Sequence, residues 1–64
     1  MEVGDCFRHV SAGLSFIYRV VKILSRTEIA CEVLWNDREV GFSHEHRNTL
    51  LKMQKLTPLE KELM

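Results

Sequence analysis

Proline occurs once, at Pro58, so nothing before it interrupts a continuous ladder of strand hydrogen bonds. Glycine is nearly as scarce: Gly4, Gly13 and Gly41 are the only three, which excludes a flexible linker or a low-complexity tract. Two cysteines, Cys6 and Cys31, are too few for a secreted disulfide framework and are expected to be reduced thiols. Nine basic and nine acidic residues cancel. That balance speaks against an avid, sequence-blind nucleic-acid binder while leaving room for a local basic stripe. It also supplies little repulsion between copies, which permits self-association. No apolar run approaches the roughly 18 residues that a bilayer span needs. The opening "MEVGDCF" has neither a basic nor an apolar leader region, so the expected location is the cytoplasm.

What is there reads as strands. With 64 residues there is room for one small domain, residues 1–64, and for a modest core. "FIYRVVKIL" (16–24) is rich in β-branched and aromatic residues, which fit a pleated surface. Its two alternating faces are both largely apolar, so cover is expected on each side. "IACEVLW" (29–35) alternates cleanly and predicts a strand with Ile29, Cys31, Val33 and Trp35 on the core face. "SRTE" (25–28) and "NDRE" (36–39) are the turns that flank it, the second being the stronger because Asn and Asp tolerate a left-handed backbone. A short extended segment is expected over Cys6–Val10, a loop over "SAGLS" (11–15) and a further strand from "VGFS" (40–43).

The last third admits two readings. "RNTLLKMQKL" (47–56) spaces Leu50, Met53 and Leu56 as a helix would, yet also fits a turn followed by a strand. Beyond it, Thr57, Pro58 and Glu60 match the cap, first and third positions of a capping box and predict a short C-terminal helix. The fold class that follows is mainly β: a small antiparallel SH3-like barrel or bent sheet with a short C-terminal helix. "GDCFRH", "IYRVVKI", "EVLW" and "GF", over roughly residues 3–43, resemble short SH3-like or Tudor-like barrels found in small bacterial and prophage-encoded proteins. The resemblance implies a binding or adaptor module of bacterial or phage origin and carries over no catalytic residue. Residues 29–55 are also similar, in strand, turn, strand, helix order, to the carbon storage regulator family of RNA-binding dimers, but lack the Arg-Arg segment those proteins carry near their start.

Four constellations merit a chemical reading. In "SHEH" (43–46), residues two apart share a face only if the segment is a strand, and His44 and His46 would then form half of a metal site. Cys6, His9 and Cys31 are the further donors on paper. The competing reading makes Ser43 the cap of a helix starting at His44. Neither cysteine has a paired base, so a buried apolar role is expected of each and no catalytic residue is assigned. Candidates for contact with a partner or nucleic acid are Arg19, Lys22, Tyr18, Phe42, His44, His46, Arg47 and Lys52, which combine charge with stacking surfaces. In the tail, Leu59 and Leu63 are expected to pack either on the sheet or on another chain.

The expected function is a non-enzymatic interaction module that binds a protein partner or itself, with no cofactor and no membrane span. The alternative is a small nucleic-acid-binding regulator that uses a local basic stripe.

Overall fold

The computed structural model describes residues 1–63, and Met64 lies outside them. Five antiparallel strands form one sheet: β1 (Cys6–Ser11), β2 (Leu14–Ile23), β3 (Glu28–Trp35), β4 (Arg38–His46) and β5 (Gln54–Lys55). Two five-residue helices, α1 (Arg47–Leu51) and α2 (Pro58–Glu62), complete it. The spatial order is β4-β3-β2-β1-β5, a four-strand meander whose first strand is joined on its free side by the last. The sheet does not close into a barrel; bulges at Val21 in β2 and Val40 in β4 add twist and bend to it.

The hairpins follow from local chemistry. Asn36 and Asp37 both take positive φ, +52° and +62°, and close the β3–β4 hairpin as a two-residue turn whose twist matches its strands. At the β2–β3 turn, Ser25 Oγ accepts hydrogen bonds from the N–H groups of Thr27 (3.3 Å) and Glu28 (3.0 Å), satisfying donors the ladder leaves free. The "SAGLS" segment is not a loop. Strand β1 runs to Ser11 and β2 starts at Leu14, joined by Ala12 and Gly13 alone, with φ +51° and +78°. A left-handed alanine costs roughly 1 kcal/mol or more. Ala12→Asn is therefore expected to stabilise the protein by about 1 kcal/mol, raising the thermal midpoint by roughly 4–8 °C. Circular dichroism melts of the two proteins check this, and an unchanged or lower midpoint would contradict the strain.

The core is small. Phe7, Val20, Ile29, Cys31 and Leu50 are buried together, with Met1, Tyr18 and Met53 packed around them. All of the strand residues in that cluster lie on one sheet face, the inner face, which α1 covers by inserting Leu50, 0% exposed. On the outer face Cys6 and Leu34 are buried, and α2 leans there through Arg8 Nη1 to Glu60 Oε2 at 3.9 Å. Thr57 caps α2 by the expected reciprocal pair, its Oγ1 accepting from Glu60 N–H while its own N–H donates to Glu60 Oε1.

One expectation is corrected here and two open alternatives are narrowed. Trp35 is not core: it is 40% exposed, whereas Ile29 and Cys31 on the same face are fully buried. Cover from α1 fades toward the Asn36–Asp37 tip, and the residue buried there is Leu34, on the opposite face beside Ile17. Residues 47–56 are not one helix but a turn followed by a strand, although Leu51, expected to face inward in that reading, is exposed. A helical turn ends at Leu51, and β5 then pairs with β1, Phe7 opposite Lys55. Leu50 and Leu56 are buried and Met53 half-buried, as the spacing suggested, but only Leu50 belongs to the helix. Leu59 and Leu63 do not pack on the sheet: both stay well exposed.

Candidate functional site

Antiparallel pairing puts partnered residues on one face, so the register alone sorts the candidate residues. Arg19 pairs with Glu32 and Glu32 with Phe42. One row over, Lys22 pairs with Ala30 and Ala30 with His44; at the end, Glu28 pairs with His46. Arg19, Lys22, Phe42, His44 and His46 therefore share the outer face. Tyr18 does not: it pairs with Phe7 and Val33 on the inner face, where its ring meets His9 edge-on at 6.2 Å and burial pushes its hydroxyl pKa up. Arg47 sits beside Ile23 and Ile29 at one end of that inner face, and Lys52 lies near His9 and Met53. The eight residues thus divide between the two faces, five to three, instead of forming one stripe.

The outer face is of mixed charge. Arg19 donates to Glu32 in an ion pair, and Glu39 lies beside it through the Val40 bulge, opposite Leu34. Hydrogen bonding to Glu32, with burial and the Glu32 charge adding to it, raises the Glu39 carboxyl above the usual carboxylate range. With Arg19 engaged by Glu32, Lys22 is left as the principal unpaired cation of this face among the described residues. Phe42 stands out of it, 68% exposed.

"SHEH" is strand, not helix, so His44 and His46 do project from the same face. They do not make a metal centre with the other proposed donors. Among the described residues no group of three or more His, Cys, Asp or Glu side chains converges. The Nδ1 of His46 instead accepts the Asn48 N–H at 3.0 Å, so His46, not Ser43, caps the first helix, α1. His46→Ala is expected to cost about 1 kcal/mol, whereas His46→Asn keeps a cap and most of the stability. Urea midpoints at constant slope separate the two; equal losses would show that the cap contributes nothing.

The thiols are inert by position. Cys6 and Cys31 are free and buried on opposite faces, so they cannot join. Burial pushes the Cys31 thiol up to about 11, with the Glu45 charge adding to it, and burial raises Cys6 likewise. Both therefore stay protonated at neutral pH, the unreactive form.

Strand β4 has a property that composition does not reveal: it ends the sheet. The Arg47 N–H donates to the Thr27 carbonyl at 2.7 Å, which makes 27 and 47 a hydrogen-bonded pair. Such pairs alternate along an antiparallel ladder. Glu45 and Ser43 therefore turn their N–H and C=O groups toward β3, while His46, His44 and Phe42 turn theirs outward. Glu28, the partner of His46, agrees: its carbonyl accepts from Leu24 N–H on the β2 side, away from β4. The outer edge thus offers unpaired donors and acceptors at Phe42 and His44, whose side chains stand on the outer face, while the His46 carbonyl is taken up by the first turn of α1. Only the strand order reveals that edge; the nearest signal in the sequence is the exposed-looking Phe42 between Gly41 and Ser43. Comparison with known proteins returns no matching family model, no matching curated protein and no matching solved structure.

Proposed function

We infer that this chain is a non-enzymatic interaction module that docks a protein partner, or a second copy of itself, along β4 and the outer face around Phe42. The observation that carries the reading is one exposed aromatic ring set on a strand edge whose backbone groups at Phe42 and His44 point to solvent. Such an edge recognises an extended chain by main-chain hydrogen bonds, and a neighbouring aromatic adds contact area. The placement of β5 against β1, after one helical turn, supports the SH3-like reading and with it an adaptor role of bacterial or phage type. A cytoplasmic setting goes with this reading, since it is where two unpaired cysteines stay reduced. No helix among the described residues is long and apolar enough to cross a membrane.

A second reading, a nucleic-acid-binding regulator, draws on Arg19, Lys22, Phe42 and His44 sharing one face. Glu28, Glu32 and Glu39 share it too, and Arg19 is paired, so a phosphate backbone would meet carboxylates as well as cations. The test is affinity capture with the wild-type protein and Phe42→Lys in parallel, together with titration of short RNA and DNA at two salt concentrations. Proteins retained by the wild type and lost with Phe42→Lys support docking. Oligonucleotide binding that weakens steeply with salt puts the second reading ahead, and silence in every arm removes both.

A further inference from the structure

Sheet edges in natural proteins are blunted by lysine, proline or a bulge across the exposed stretch. In β4 the segment Gly41–His46 carries neither lysine nor proline, and its bulge at Val40 lies back toward the Asn36–Asp37 turn. The outward N–H and C=O groups of Phe42 and His44 face solvent, and another extended strand can pair with all of them at once. We propose that this strand is β4 of a second copy, paired antiparallel about a two-fold axis through Ser43, so that Phe42 of each copy lies opposite His44 of the other. The proposal rests on the reading of the chain as an interaction module and names its partner.

Geometry selects that register. A two-fold normal to a continuous sheet pairs only residues that share a face, so the axis must pass through a residue and not between two. Centring on Phe42 sets His44 against Val40 and runs the ladder into the bulge. Centring on His44 sets that histidine against itself and, three residues on, brings Gly41 against Arg47, where the chain turns into α1. Centring on Ser43 uses the regular stretch Gly41–Glu45 alone. It places two Phe42–His44 pairs on the outer face and Gly41 opposite Glu45 on the inner one, with no like charges facing. About four hydrogen bonds form, two from each Phe42–His44 pair. The zero net charge adds no long-range repulsion. So short a ladder buries an area at the small end for protein interfaces, which points to a weak, concentration-dependent dimer.

Sedimentation velocity from about 10 µM to about 1 mM, with amide exchange read by NMR at both ends of that range, tests the proposal. The expected result is a mass rising from 7.5 kDa toward twice that value, with exchange slowing at Phe42 and His44. The Ser43 and Glu45 amides, already bonded to β3, should change little. Phe42→Lys sets a charge where the rings meet, and His44→Pro removes an outward N–H that the fold itself does not use. Both should remain monomeric by sedimentation while keeping the wild-type circular dichroism. If His44→Pro fails to fold, Phe42→Lys and the amide pattern decide. A wild-type protein that stays monomeric at 1 mM overturns the pairing, as does association that Phe42→Lys leaves intact or protection centred elsewhere. A monomer that still captures a foreign protein through Phe42 sinks only the self-pairing; a monomer that captures nothing sinks the interaction reading as well.

Discussion

Phe7→Ala is expected to lower the stability of the protein by about 3–5 kcal/mol and to move its urea midpoint far below that of the wild type. Phe7 is 2% exposed and the largest side chain in a core cluster of five buried residues. Removing a buried phenylalanine ring costs about 3–5 kcal/mol, through lost transfer energy and the cavity left behind. A chain of this length has roughly 3–10 kcal/mol of stability in total, so the loss runs from about 30% of it to all of it. The effect should be specific to position and not to residue type. Phe42, 68% exposed, leaves no cavity when truncated, and Phe42→Ala should stay within about 0.5 kcal/mol of wild type. Urea unfolding followed by tryptophan fluorescence compares the three proteins. A Phe7→Ala midpoint close to wild type would mean that the core lies elsewhere.

The second large effect is at Leu50. This residue is 0% exposed and is the only buried residue of α1, whose five residues are far too few to stay helical unaided. Leu50→Ala is expected to cost about 2–5 kcal/mol. Its neighbour Leu51 is 55% exposed, and Leu51→Ala should be nearly silent. The two positions also differ in where damage appears. Leu50 pins the chain between β4 and β5, and β5 holds β1 through only two residue pairs, Phe7–Lys55 and Arg8–Gln54. Amide exchange in Leu50→Ala should therefore quicken first over residues 47–56, with β2 and β3 retaining protection longest. Uniform loss across all strands would instead mark α1 and β5 as one cooperative unit with the sheet.

The central hairpin was legible because its signals are local. Residues 16–24 and 29–35 are strand-forming by composition, and Asn36–Asp37 names its own turn type. The capping box at Thr57–Glu60 is equally local, since its reciprocal bonds span three residues. Elsewhere local signals competed. Ala12 is a poor left-handed residue, so "SAGLS" reads as a loop until cross-strand pairing of Ser11 with Leu14 forces the tight turn. Ser43 is a good helix cap, but β3 extends the ladder past it to His46. Residues 47–56 carry too few turns of either periodicity to decide between helix and strand. For the candidate site, alternation correctly joins His44 to His46, but only the strand pairing joins them to Arg19 and Lys22 or separates them from Tyr18, Arg47 and Lys52.

By itself the sequence determined that the chain is mainly β, where its central strands and sharpest turn fall, and that a proline-led helix closes it. Those features depend on backbone preferences and on contacts a few residues apart. Tertiary structure alone decided that Leu34 and not Trp35 is buried, that Arg19 is engaged by Glu32, and that β4 is an edge. Each depends on which strand or helix comes to lie against a given face, and that is set by burial and pairing between segments far apart in the chain.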